Sequence, residues 1–110
     1  MIAIGPTHFL LVSALVFALG LGVIIARRNA IAVLIGVEMI LNAAALNFIT
    51  FSRFGRIVDG VAVRGLDGQL VAIFIIILAA AEAAVALAIV LNLYHVLDTV
   101  QVDEADELRE

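Results

Sequence analysis

Three long apolar runs, separated by short polar breaks, organise the 110-residue chain. They extend from about Pro6 to Ala26, from about Ala30 to Phe51 and from about Leu70 to Tyr94. Each holds roughly 20 residues or more, which at about 1.5 Å per residue crosses a hydrocarbon core of about 30 Å. Membrane strands are instead runs of about 10 residues with polar alternation, and that alternation is missing here. The pattern predicts an all-α integral membrane protein with three transmembrane helices and no soluble domain, so that residues 1–110 form one membrane domain. The first run meets its first positive charges, Arg27 and Arg28, after it rather than before it, and no small-residue cleavage pattern sits at a suitable place. It is expected to be a retained span, not a signal peptide.

The breaks differ in kind. Arg27-Arg28-Asn29 is so short that the first two helices are expected to be antiparallel neighbours in a tight hairpin. Residues 52–69 hold Arg53, Arg56, Arg64, Asp59 and Asp67 among Gly55, Gly60, Gly65 and Gly68, with no sustained apolar period. That stretch reads as an exposed, flexible loop.

Composition supports the bilayer as the solvent. The chain is 65% hydrophobic and 15% charged, against about half and a quarter for soluble domains, and a compact domain of this length has too little interior to hide the excess. It has no cysteine and two separate histidines, which excludes disulfides, thiolate metal sites and iron–sulfur clusters and leaves no clear zinc or haem site. Redox chemistry is therefore expected in another chain, with no cofactor in this one. The net charge of −4 belongs to an acidic tail, residues 98–110, where six acids face only Arg109 for a net −5, while the rest of the chain sums to +1. The tail reads as a solvated segment or as a docking strip for a basic neighbour. With no basic cluster and few aromatics, nucleic acid is not an expected partner.

Orientation by positive charge is nearly a tie, with Arg27, Arg28 and Arg109 on one side and Arg53, Arg56 and Arg64 on the other. Arg27 and Arg28 lie tight against two helix ends, which leans toward that turn being inside. Ala14, Ala18, Gly22 and Ala26 recur every four residues in the first span, and the third is crowded with alanines from Ala79 to Ala88. Small residues let helix backbones approach closely in lipid, so both helices are expected to pack against others, and the chain reads as a subunit of a larger membrane assembly.

Two acids stand in the wrong solvent. Glu38 is near the middle of the second span and Glu82 is at the middle of the third, with no other charge beside either. An acid at the bilayer centre costs about 2.5 to 3.5 kcal/mol on insertion scales, and such residues are functional by default. Low dielectric penalises the carboxylate's charge, which suits a group that takes up and releases a proton as its surroundings change. Asn42, one turn beyond Glu38 on the same face, offers a donor and an acceptor to the carboxyl or to a water beside it. Asn47, nine positions from Glu38, points roughly the opposite way and reads as a packing or interhelical hydrogen-bond residue. The plain alternative is that each Glu is an interhelical hydrogen-bonding group. Arg27 and Arg28 serve as interfacial anchors or as charges that tune a nearby carboxylate, and His8 and His95 read as interfacial residues.

These residues carry a resemblance. The turn Arg27-Arg28-Asn29, the run from Leu34 through Gly36, Glu38 and Asn42 to Ala43, the stretch Gly65-Leu66-Asp67-Gly68-Gln69 with Ala79 to Ala84 around Glu82, and the closing Asp106-Glu107-Leu108-Arg109 resemble the subunit K family of bacterial proton-pumping NADH-quinone oxidoreductase, respiratory complex I. The resemblance covers nearly the whole chain. It implies a translocase subunit with no isolated catalytic activity and no redox cofactor of its own, while NADH, FMN, iron–sulfur clusters and quinone belong elsewhere in the complex. It also implies a hetero-oligomer in the bacterial cytoplasmic membrane, with this chain between quinone-end and antiporter-like subunits. Glu38 and Glu82 match the family's two intramembrane glutamates, and Arg27 and Arg28 its cytoplasmic-loop arginines. The first turn and the acidic tail would then face the cytoplasm and the amino terminus the outside. Residues 52–64 are longer than the family's usual loop, so no role carries over to Arg53, Arg56 or Arg64. The alternatives are a homologous small subunit of a multisubunit cation/proton antiporter or membrane-bound hydrogenase, and a purely structural adaptor.

Overall fold

The computed structural model describes residues 3–63 and 65–97, the side chains of Arg56, Ala62 and Leu97 excepted. The acidic tail therefore lies outside the described residues. Three helices dominate: α1 at Pro6–Ala26, α2 at Ala30–Phe54 and α3 at Asp67–Leu97. All three are long and apolar enough to cross a membrane. At about 1.5 Å per residue, α3 is about 46 Å long and overruns the hydrocarbon core.

Local chemistry sets the helix ends. Pro6 opens α1, where its fixed φ helps and its missing N–H costs nothing. The Gly5 N–H donates to His8 Nδ1 at 3.0 Å, so His8 caps the helix start in addition to lying near the interface. Asn29 caps α2, its side-chain oxygen accepting from the Ile31 N–H at 2.8 Å. The three-residue turn thus stops one helix and starts the next. Gly55, at φ 74°, ends α2 in a conformation that side chains resist.

Where a flexible loop was expected, the structure has an antiparallel hairpin. Strands β1 (Arg56–Val58) and β2 (Val61–Val63) pair Arg56 with Val63, Ile57 with Ala62 and Val58 with Val61. Asp59 and Gly60 turn the chain at φ 52° and 80°. Two successive positive φ values are what a two-residue hairpin needs, and Asp-Gly between β-branched runs supplies them. The helices also reach further into residues 52–69 than the apolar runs suggest, because polar residues at a membrane surface continue a helix without penalty.

The molecule is a narrow slab, 63 Å long and 27 by 22 Å across, in which α2 packs against α1 on one side and α3 on the other. The α1–α2 contact is built on backbone proximity. A Cβ added at Gly20 would come within 2.7 Å of the Gly36 carbonyl oxygen, and one added at Gly36 within 2.7 Å of that of Gly20. Ser13, fully buried, donates from Oγ to the Ala43 carbonyl at 2.8 Å. At one end the Phe9 and Phe54 rings meet with centroids 5.8 Å apart. Gly68 makes the corresponding close approach between α3 and α2, against the Phe48 carbonyl and Ser52. The buried apolar residues are Ala43, Ala45, Ala72 and Ala79. The Ala14, Ala18, Gly22 and Ala26 stripe is exposed, because the α1 face that meets α2 runs through Ser13 and Gly20 instead.

Gly36→Val is expected to weaken the α1–α2 pair by about 1–3 kcal/mol through overpacking against backbone, read as a lower unfolding midpoint of the chain in detergent. Gly22→Val, where an added Cβ meets nothing, is expected to stay within about 0.5 kcal/mol.

Candidate functional site

Glu38 sits on the middle helix, two residues beyond the Gly20–Gly36 crossing, and is half-buried. Among the described residues its Oε1 is the one fully buried side-chain polar atom with no hydrogen-bond partner. Buried oxygens are almost always satisfied, and leaving one unpaired costs about 1–3 kcal/mol. Glu38 as a residue lines a groove of about 490 Å³ between α2 and α3, together with Asn42, Ile31, Ile35, Ala83 and Leu87 among others. Everything in it except Glu38 and Asn42 is apolar. Small residues on α3 make the space, since alanines at 83 and 84 leave room that larger side chains would fill. Asn42 shares the groove, as its spacing of one turn requires, and is itself exposed.

Glu82 is placed differently. It is exposed on this chain and does not line the Glu38 groove. At about 100° per residue, Ala83 and Leu87 lie on one side of the α3 stripe defined by Ala79, and Glu82 lies on the other. The two acids nevertheless share a depth. Counting along α3 from the Gly68 contact to Glu82, and the same number of residues back along α2, arrives within about one turn of Glu38. Within the chain, then, Glu38 is half-buried and Glu82 is exposed. Among the described residues, no second helix covers that edge of α3.

Arg27 and Arg28 are exposed in the turn. Arg27 closes α1, its N–H donating to the Val23 carbonyl at 3.0 Å. The turn lies at the α2 end nearer Glu38, about 15 Å of helix rise from it, so neither arginine reaches the carboxyl by direct contact. Asn47 lines a separate groove between α1 and α2 with Leu10, Phe17 and Ile40, away from Glu38. His95 stacks edge-on to Tyr94 at 6.4 Å near the end of α3. Three contributors carry no reading from the sequence. Ser13 is legible as a hydroxyl within an apolar run, whereas Ala83 and Leu87 carry no chemical signal and join the groove only through the α2–α3 packing.

Three antiparallel spans held together by glycine and alanine, with an unpaired carboxyl oxygen near mid-span and a second acid on an outer edge, define a small multi-pass membrane protein. A model of the NADH-ubiquinone/plastoquinone oxidoreductase chain 4L family matches residues 8–110, and this chain belongs to that family. It is 47% identical over 109 residues to NADH-quinone oxidoreductase subunit K of Chlorobaculum parvum, covering 99% of this chain and 96% of the relative. Subunit K of Chlorobaculum tepidum is 44% identical over 110 residues, covering 100% and 95%. NAD(P)H-quinone oxidoreductase subunit 4L of a Synechococcus species is 46% identical over 101 residues, covering 92% and 93%.

If Glu38 were present to hold helices together, removing it would loosen the bundle. Its unpaired oxygen predicts the opposite. Glu38→Leu is expected to leave the unfolding midpoint of the chain in detergent unchanged or to raise it, because a buried polar group without a partner is a net cost. A drop of about 1 kcal/mol or more would assign the residue to structure.

Proposed function

We propose that this chain works as a membrane-arm subunit of a proton-translocating NADH-quinone oxidoreductase, in which Glu38, Asn42 and Glu82 belong to the path that couples quinone reduction to proton movement. The observation that carries this reading is the buried, unpartnered Oε1 of Glu38, a residue that lines the α2–α3 groove near mid-span. An acid kept there at a cost to stability invites a role in coupling rather than in packing. Asn42 supplies the groove's other polar group, able to orient a water or the carboxyl itself.

Glu82 completes the proposal on the other edge of α3. Facing hydrocarbon, it would bear the full insertion cost, so a neighbouring subunit is expected to cover it and provide polar partners. The two acids then exchange influence across the α2–α3 seam at one depth. Moving one charge against 100 mV takes about 2.3 kcal/mol, so protonation must be tied to a change in conformation or hydration; freely exchanging acids would dissipate the gradient. The subunit carries no redox centre and has no activity in isolation, with NADH, FMN, iron–sulfur clusters and quinone held by other subunits. It sits between the quinone-end and antiporter-like subunits. The Arg27-Arg28 turn and the acidic tail face the cytoplasm and the amino terminus faces outward, with the two arginines anchoring the turn to the headgroups and biasing the field along α2.

The test is Glu38→Gln, which keeps shape and hydrogen-bonding capacity but removes the titratable proton. In complex shown to be assembled on a native gel, proton pumping and coupled quinone reduction are expected to fall together by about tenfold or more, about 1.4 kcal/mol of barrier. Glu82→Gln is expected to cause a smaller loss. Assembled Glu38→Gln complex with full pumping would end the coupling role and leave a structural adaptor.

A further inference from the structure

The hairpin between α2 and α3 has no part in the coupling path, and its surface is unlike that of a solvated loop. Ile57, Val58, Val61 and Val63 are all exposed, Ile57 at 79%. The register turns Val58, Val61 and Val63 to one face and Ile57 to the other, so exposed aliphatic side chains stand on both faces. Water is a poor solvent for either. The hydrocarbon core is equally unsuitable, because a two-stranded ribbon leaves outer-edge N–H and C=O groups unpaired.

Its height is fixed by the chain. One residue separates the hairpin from the end of α2 at Phe54, and three separate it from the start of α3 at Asp67. Its base is tied down, since Ser52 Oγ donates to the Gly65 carbonyl and a cavity of about 270 Å³ is shared by Phe48, Phe51 and Ser52 of α2 with Val63, Gly65 and Gly68. Phe51 and Phe54 are exposed directly beneath, so one aliphatic and aromatic band continues from the membrane-spanning helix onto the hairpin. Arg53, Arg56 and Arg64 flank the strands in sequence, against Asp59 at the turn and Asp67 at the head of α3. This combination of apolar side chains, polar backbone edges and excess cations matches the headgroup layer of a bilayer, where acyl chains, water and phosphate lie within a few ångströms of one another.

We infer that the Arg56–Val63 hairpin lies in the headgroup layer and binds anionic phospholipid, its exposed valines and isoleucine against the upper acyl chains, with the arginine-rich sequence around it supplying the positive charge that favours anionic lipid. The hairpin then acts as an anchor that fixes the α2–α3 end of the subunit to the membrane surface.

Photocrosslinking tests this. Benzoylphenylalanine is placed at Ile57 and, separately, at Val61 in the full-length chain in native membranes, with incorporation into the assembled complex checked on a native gel. After irradiation, mass spectrometry of the chain is expected to find phospholipid adducts as the main product at both positions, enriched about threefold or more in anionic over zwitterionic lipid relative to the bulk membrane. Replacing Arg53, Arg56 and Arg64 together by glutamine is expected to return that ratio to the bulk value. Adducts to another polypeptide, or no adducts at all, would overturn lipid contact and make the hairpin a protein-docking or solvated element. Lipid adducts without anionic enrichment would overturn the role of the arginines. The two positions are independent, so failure of one variant to assemble leaves the other to decide.

Discussion

Two apolar helices in a bilayer have no hydrophobic reason to associate, because lipid tails are as apolar as leucine. What holds this molecule together is close backbone approach, and everything else follows from where that approach is possible. The Gly20–Gly36 contact sets α1 against α2, the buried Ser13 hydrogen bond to Ala43 fixes their register, and Gly68 brings the head of α3 onto Phe48 and Ser52. These contacts make α2 the middle helix. They also leave most large side chains on the outside, so the bundle is thin and depends on other surfaces to complete it.

That thinness explains the character of the site. Glu38 is on the helix with neighbours on both sides and is half-covered, whereas Glu82 is on an outer helix and is open. The same alanines that let α3 approach α2 leave the groove in which the Glu38 oxygen goes unpaired. Stability and function pull apart here. A hydrophobic residue at position 38 would leave no oxygen unpaired, and the coupling role proposed for Glu38 gives a reason for an acid there.

Much of the fold was legible. Long uninterrupted apolar runs mean spans, since hydrogen bonding within a helix is the simplest way to satisfy a backbone in hydrocarbon. The hairpin was legible too and was not read. Ile57-Val58, Asp59-Gly60 and Val61-Ala62-Val63 carry the β-branched and Asp-Gly signals of a two-residue turn. Surrounding glycines and arginines obscured them. His8 as a helix cap depends on a ring nitrogen reaching its own helix start, which spacing alone does not reveal.

The sequence by itself determined the solvent, the number of spans, the antiparallel hairpin of α1 and α2, and the presence of two acids and an asparagine at mid-membrane depth. Those properties follow from the order of apolar and polar groups, which acts locally and turn by turn. Only the tertiary structure decided that Ser13 and Gly20, rather than the Ala14 to Ala26 stripe, face α2. It alone put Glu38 and Asn42 in one groove with Ala83 and left Glu82 on the opposite edge of α3. A helix with small residues on several faces can pack on any of them. Which one it uses depends on the shape of the partner helix, and that is not written in its own periodicity.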